Sequence, residues 1–275
     1  MRREKHFWKN KYCRLGMGVL VFLLVLAILG PLLSPFGPTE QNADAQNLGS
    51  SLMHPFGTDK FGRDVFVRVC FGMGISLLVG FAGAFLCGVI GVFYGGISGY
   101  AGGKTDLLLM RVADIVEAVP SLLYVILIML VLGASVGSMI FGICIAGWTK
   151  MARVVRAEIK RLGKMDFVLS AKLSGAGGLH ILRKHLIPAA AGPIIVNLTF
   201  LVPEAIFTEA FLSFVGVGLS APAASLGTLI REARSQMQVY PGQMLYPMLV
   251  LCVLILALNL IGIGIEQEIA KIREG

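Results

Sequence analysis

Two residue patterns in this chain invite a catalytic reading, and both fail on spacing. Gly103-Lys104-Thr105 has the ending of a phosphate-binding loop, but that loop needs a glycine where Ser98 stands and a strand before it. An apolar run precedes it instead, so the segment reads as a turn between helices. His180 and His185 are five apart with no acid between them, whereas a zinc-protease helix needs them four apart with a Glu after the first. His6 and His54 lie elsewhere, and no Ser-His-Asp arrangement is legible. Cys13, Cys70, Cys87, Cys144 and Cys252 form no CxxC pair, so they read as buried free thiols. The 12 methionines are dispersed and read as apolar filler. No cofactor, metal or nucleotide site of the chain's own is expected. What remains is a set of carboxylates inside apolar sequence: Asp114 and Glu117, then Glu204 and Glu209. Ionisable residues in such segments are costly and mark function by default, so these four are candidates for lining a path. Arg111 and Asp114, three apart, can also pair along a helix, and Glu209 can sit near a membrane interface.

The elements that carry these residues are set by composition. The 275 residues are 56% hydrophobic and only 15% charged, where a soluble domain carries about a quarter. That is an all-α polytopic membrane protein, and the net charge of +8 matters through its placement, not as a sign of nucleic-acid binding. About 20 apolar residues cross the hydrocarbon core. Leu15–Leu33 supplies a first span; Met1-Arg-Arg-Glu-Lys before it resembles a signal n-region, but the run is long and no small-x-small cleavage site ends it. Ile75–Ile97 supplies a second. The uncharged stretch Ala118–Thr149 is too long for one span and too short for two, and Gly133-Ala-Ser-Val-Gly-Ser138 marks a turn inside it. The third span then begins near Leu107 and the fourth runs from about Ser138 to Arg156. Ile194–Val215, with Pro203 inside it, and Leu245–Ile265 complete six.

Six spans place both termini on one side. Arg2, Arg3, Lys5, Lys9, Lys11 and Arg14 lie before the first span, and nine cations from Lys150 to Lys184 lie between the fourth and fifth. Lys104, Arg111, Lys271 and Arg273 fall on the same side, against Lys60, Arg63, Arg68, Arg231 and Arg234 on the other. The positive-inside rule makes the richer side cytoplasmic. In the second span Gly80, Ala84, Gly88, Gly91, Gly95 and Gly99 recur every three or four residues, which predicts one small-residue face for close helix packing.

Between the fourth and fifth spans lies Asp166-Phe-Val-Leu-Ser-Ala-Lys-Leu-Ser-Gly175, then Leu186-Ile-Pro188. This resembles the coupling loop of bacterial ABC importer permeases, which reads Glu-Ala-Ala, three residues, Gly, and an apolar-Leu-Pro ending. Leu169-Ser170-Ala171 stands for Glu-Ala-Ala, Gly175 for the glycine, and Leu186-Ile187-Pro188 closes the motif. His54-Pro-Phe-Gly-Thr-Asp-Lys-Phe-Gly-Arg-Asp64, Met110-Arg-Val-Ala-Asp114 with Pro120, and Glu209-Ala-Phe-Leu-Ser-Phe-Val-Gly-Val-Gly218 with Ala221-Pro222 are similar to the peptide/nickel importer family. So is Leu258-Asn-Leu-Ile-Gly262. The resemblance runs from about Leu15 to Ile265 and is to the C-type permease subunit of oligopeptide and dipeptide importers. Leu169, Leu226 in Ser225-Leu-Gly227 and Ile263 in Gly262-Ile-Gly264 depart from that pattern.

The resemblance implies a type I ABC importer permease fold in a bacterial inner membrane. It implies residues 1–72 as tail, first helix and external segment, and residues 73–275 as a permease core with its coupling loop at about 157–190. It also implies a second permease, two ATP-binding subunits that hold ATP and Mg, and an external substrate-binding protein. Asp166, Phe167, Val168, Leu169, Ser170, Ala171, Lys172, Leu173, Ser174, Gly175 and Pro188 are then the residues that couple to the ATPases. Phe167 and Ala171, four apart, share a face, and Gly175 permits a turn with positive φ. With Leu169 in place of Glu, docking relies on apolar contact and on Lys172 and Arg183. The implied cargo is di- or oligopeptides, with nickel or its chelate as the alternative. A stand-alone channel or ion-coupled carrier is the reading from another class, but a carrier is expected to show repeated halves with broken helices, and no repeat is legible.

Overall fold

The computed structural model describes residues 10–219 and 224–274, the side chains of Arg273 and Glu274 excepted. The basic residues Arg2, Arg3, Lys5 and Lys9, His6, and the pair Ala221-Pro222 lie outside the described residues. Within them the chain is helical, with one isolated antiparallel bridge, Thr58 to Asp64.

Asn10 starts α1 (Lys11–Leu33) by accepting from the Tyr12 N–H, and its amide donates to Gln267 at 2.9 Å, tying the helix to the end of the chain. Asp64 caps α2 (Val65–Ala101) in the same manner at Val67. At 37 residues α2 is far longer than a span needs, about 55 Å. Gly102, at positive φ, turns the chain into α3 (Gly103–Ala118). The expectation of one continuous third helix is corrected here. Val119 is extended (φ −92°, ψ 127°) because Pro120 disfavours helical backbone before it, and α4 (Ser121–Leu132) leaves at 76° to α3.

The turn expected at 133–138 is present. Gly133 has φ +85° and Ser135 caps α5 (Val136–Leu162) at Ser138. The short helices α6 (Asp166–Leu173) and α7 (Gly178–Ile181) follow, and a π turn at Leu182–Leu186 leads into α8 (Ala191–Val215). Then come α9 (Leu226–Ala233) and α10 (Gly242–Glu274). Among the described residues α1, α2, α5, α8 and α10 are each long and apolar enough to cross a bilayer. The bent α3–α4 pair makes a sixth if it counts as one span, which matches the number expected.

α2 sits at the centre of the bundle, and its glycines divide between two neighbours instead of forming one face. A Cβ on Gly91, Gly95 or Gly99 would press on Met151, Ala152 or Arg156 of α5, whereas one on Gly80 or Gly88 would press on Ile206 or Leu198 of α8. The core follows this line from Met73 and Val79 through Met139, Met151 and Val155 to Ile206 and Leu254.

The GTDxxGRD string earns its residues in the loop before α2. Gly62 sits at φ +72°, where a Cβ would lie 1.8 Å from the Asn42 carbonyl oxygen. The Thr58 hydroxyl accepts from the Leu48 N–H at 2.8 Å and donates to the Ala45 carbonyl. Asp59 accepts from the backbone of Phe61 and Arg63 and from both Arg63 Nε (2.7 Å) and Arg68 Nη1 (2.8 Å). The same two arginines reach Glu232 of α9 at 2.6 and 2.9 Å, so the loop is clamped onto the far end of the bundle. Burial alone would push the Glu232 carboxyl up, but Arg68 and Arg63 outweigh it and hold it below the ordinary range.

Candidate coupling and translocation surfaces

At the end of α5, Gly163 satisfies the last carbonyls of the helix and the chain reverses into α6. Asp166 lies in the first turn of α6 and Lys172 in its last, each matched to the helix dipole. Gly175 adopts φ +79°, the conformation its sequence permits, and the Ala176 N–H closes onto the Ala171 carbonyl at 3.1 Å. A single face of this hairpin is anchored: Val168 is buried, and Ala171 and Ala176 pack against the core. Phe167 and Ala171 therefore do not share an environment, because Phe167 is exposed while Ala171 turns inward. The other face presents Met165, Phe167 and Leu169 with Leu173 (82% exposed) and Leu179 (77%). Asp166, Ser170, Lys172, Ser174 and Pro188 are exposed around it. These apolar side chains stand open on a two-turn helix, the kind of patch that in general marks a protein or membrane contact.

The four carboxylates fall into three environments. Glu209 is fully buried, accepting from the Ser76 and Ser213 hydroxyls at 2.8 Å each, with Ser225 as a third partner. It fastens α2, α8 and the start of α9 to one another and lines no open surface. Asp114 and Glu117 converge on Arg153 (2.8 and 2.6 Å), while Arg111 lies 3.8 Å from Asp114. Glu204 pairs with Lys150 across α5 and α8.

Lys150 and Arg153, counted by sequence among the cations between the fourth and fifth spans, fall inside α5, within the expected fourth span of about Ser138 to Arg156. With Arg156 and Lys160 they form a stripe on that helix, and the last two both bind Asp106 of α3, which also accepts from Ser98 at 2.6 Å. Asp106 was missed by the sequence reading. Its signal was the spacing of cations three or four apart along α5, which a helix turns into one charged line needing acids opposite.

Of the three departures from the coupling-permease pattern, only Leu226 is packed into the core, while Leu169 and Ile263 are exposed. Leu226 is fully buried, beside a Gly227 whose Cβ would meet the Ala210 carbonyl oxygen at 2.4 Å. Ile263 is partly exposed on α10, while Gly264 lies against Cys13.

The profile of the binding-protein-dependent transport system inner membrane component family matches residues 91–270. The chain belongs to that family. Residues 5–55 of this permease match a second profile, the N-terminal TM domain of oligopeptide transport permease C. It is 40% identical over 262 residues to the dipeptide transport system permease protein DppC of Bacillus subtilis (strain 168), covering 95% of this chain and 82% of that one. Over 263 residues it is 40% identical to the oligopeptide transport system permease protein OppC of the same organism, covering 96% and 86%. Among solved structures it resembles the inward-facing MetNI methionine ABC transporter, with TM-score 0.58 at 18% identity over 72% of this chain and 94% of that one. An amino acid ABC transporter crystallised with histidines gives 0.56 at 16% over 73% and 93%. These two speak for the fold alone: the permease is a multi-pass helical membrane protein with the architecture of ABC importer permeases.

Proposed function

We propose that this permease forms half of the translocation pathway of an ATP-driven, binding-protein-dependent importer of di- and oligopeptides in a bacterial inner membrane. Its partners are a second permease, two ATP-binding subunits that hold ATP and Mg, an external substrate-binding protein and the surrounding lipid. The observation that carries the reading is the anchored, outwardly apolar helix α6 between α5 and α8, which has the form a coupling element requires. Peptides are preferred to nickel because the two relatives at 40% identity are named for dipeptides and oligopeptides.

The charge distribution supports cytoplasmic termini and a cytoplasmic α6. Lys164, Lys172, Arg183 and Lys184 are exposed at the α6 end, whereas Arg63 and Arg68 at the other end are neutralised by Asp59 and Glu232. Closure of the ATP-binding subunits then moves α6 and, through Val168, which lies beside the ends of α2 and α5, those helices, with α8 following through the chain that joins it to α6. Their inner surfaces swing the cavity between outward and inward openings. ATP supplies differential stability to two states, which any such coupling demands.

The test is a mild-detergent pull-down of the tagged chain expressed with its native neighbours. Recovery of a second permease and ATP-binding subunits, lost in Gly175→Val, is the expected result. At φ +79° a β-branched residue is strained by roughly 1–3 kcal/mol, and nothing within 4 Å of the site obstructs it, so the hairpin is distorted without disturbing the bundle. Recovery of the chain alone, as an oligomer that transports without ATP, would overturn the proposal.

A further inference from the structure

The cation stripe on α5 is paired along its whole length, yet its members differ in depth and exposure. Asp106, at the α6 end, is 7% exposed and shared by Arg156 and Lys160. Arg153 and its two acids are a little under half exposed. At the top, the Lys150 and Glu204 side chains are 52% and 50% exposed. Lys150 and Glu204 each lie one residue past the midpoint of a helix, of 27 residues in α5 and 25 in α8. That places them roughly 20 Å from either helix end. Glu204 has apolar sequence on both sides in α8, broken by a charge only at Glu209, and Lys150 follows directly on the uncharged part of α5, so the pair lies within the membrane-crossing part of the bundle.

A half-exposed ion pair within the span does not face hydrocarbon, where isolated charges are costly. It faces a wet cavity or the surface of a second subunit. The groove at its foot, between α2, α4, α5 and α8, is lined by Ala84, Val125, Ile143 and Gly147 among others, and Lys150 and Glu204 are its charged residues. The pair is therefore a charge of each sign in a groove otherwise lined by small and apolar side chains with Ser121 and Thr208, and the Arg153–Asp114–Glu117 cluster lies one turn nearer α6.

From this placement, and resting on the permease reading above, we infer that Lys150 and Glu204 are the specificity element of the path for zwitterionic cargo. The pair opens to give its ammonium to a cargo carboxylate and its carboxylate to a cargo ammonium. The exchange turns one ion pair into two, so no charge is left unmatched in the low-dielectric interior. A cargo with one charge leaves a partner unpaired in a site closed to water and is rejected.

Two measurements on the reconstituted importer test this. The first uses Lys150→Met with Glu204→Gln. Replacing an ion pair by isosteres of similar volume is commonly neutral or stabilising, so the complex assembles with its ATP-binding subunits and keeps its thermal stability. A pair that merely joins α5 to α8 predicts wild-type uptake of alanyl-phenylalanine in that variant, whereas the inference predicts at least a tenfold loss. The second uses Thr208→Cys, beside Glu204, with Cys252→Ser to remove the exposed native thiol, the other four being buried. Alanyl-phenylalanine delivered by the substrate-binding protein with ATP should slow labelling by both cationic and anionic methanethiosulfonates severalfold. Labelling unchanged by the dipeptide, or wild-type uptake in the double variant, overturns the inference. Loss of the ATP-binding subunits from the unmodified complex would instead overturn the permease reading on which it rests.

Discussion

Replacing Gly95 by alanine should separate α5 from α2. The added Cβ would lie 2.2 Å from the Ala152 carbonyl oxygen and 2.9 Å from its carbonyl carbon and Cα, where ordinary contact begins near 3.4 Å. The obstacle is backbone, so no rotamer relieves it, and α5 must move outward by about 1 Å, forfeiting a quarter to a half of the dispersion energy along that seam. Overpacking of this kind costs about 1–3 kcal/mol or somewhat more. Alanine returns up to about 1 kcal/mol through its better helix propensity. The net loss of about 1–2 kcal/mol corresponds to a fall in Tm of about 2–8 °C for a chain of this size. The assay is thermal unfolding of the purified chain in detergent, followed by intrinsic fluorescence and by loss of the monodisperse gel-filtration peak. Gly74→Ala on the same helix is the control: nothing lies within 4 Å of its Cβ, so only the propensity gain remains and its Tm should not fall. A Gly95→Ala protein as stable as the wild type would refute the reasoning, since α2 and α5 would then not be in contact at that point.

Two further outcomes are expected. Glu209→Ala strands the Ser76 and Ser213 hydroxyls in a buried cavity and should cost about 2–4 kcal/mol, whereas Glu209→Gln keeps an acceptor and should cost less than half of that. Equal losses in thermal unfolding would mean that the charge itself is needed. Glu232 is held below its ordinary 4.5 by Arg68 and Arg63 against the opposing effect of burial, so its contribution is complete at neutral pH and is lost as pH falls through 4.5 and below. Glu232→Gln should therefore lower Tm at pH 7 and flatten its decline between about pH 5 and 3; a decline as steep as in the wild type would show that other carboxylates govern the acid response.

The parts of this fold legible in the sequence are those set by one residue or one run acting locally. Long apolar runs give the spans, Gly133 to Ser138 gives the turn before α5, and Gly175 declares its positive φ because no other residue adopts it so cheaply. What escaped depends on partners distant in sequence. Pro120 entered the sequence reading only through the family resemblance, and the 76° bend that it permits also needs α4 to find α5. The glycines of α2 recur at helical spacing whether they serve one neighbour or two, and only assembly assigns Gly95 to α5 and Gly80 to α8. Glu204 and Glu209 are five apart and look alike in sequence. That spacing turns them to different sides of α8, one onto Lys150 in the open and one into the serine cluster. Lys150 and Arg153 were drawn toward the basic loop by simple counting of charges, since nothing in their identity reports the acids of α3 and α8.

The central claim is that α6 transmits ATP-driven motion to a peptide pathway, and one measurement meets it directly. The chain is reconstituted into proteoliposomes with its native permease partner, ATP-binding subunits and substrate-binding protein, and accumulation of a radiolabelled dipeptide is followed with and without ATP. A parallel preparation carries Leu173→Asp, at a position 82% exposed on α6, where a charge disturbs docking and leaves the bundle core untouched. The account predicts accumulation that requires ATP and disappears in Leu173→Asp although the variant chain inserts normally. Accumulation without ATP, or undiminished by a charge in the centre of that apolar face, would contradict it.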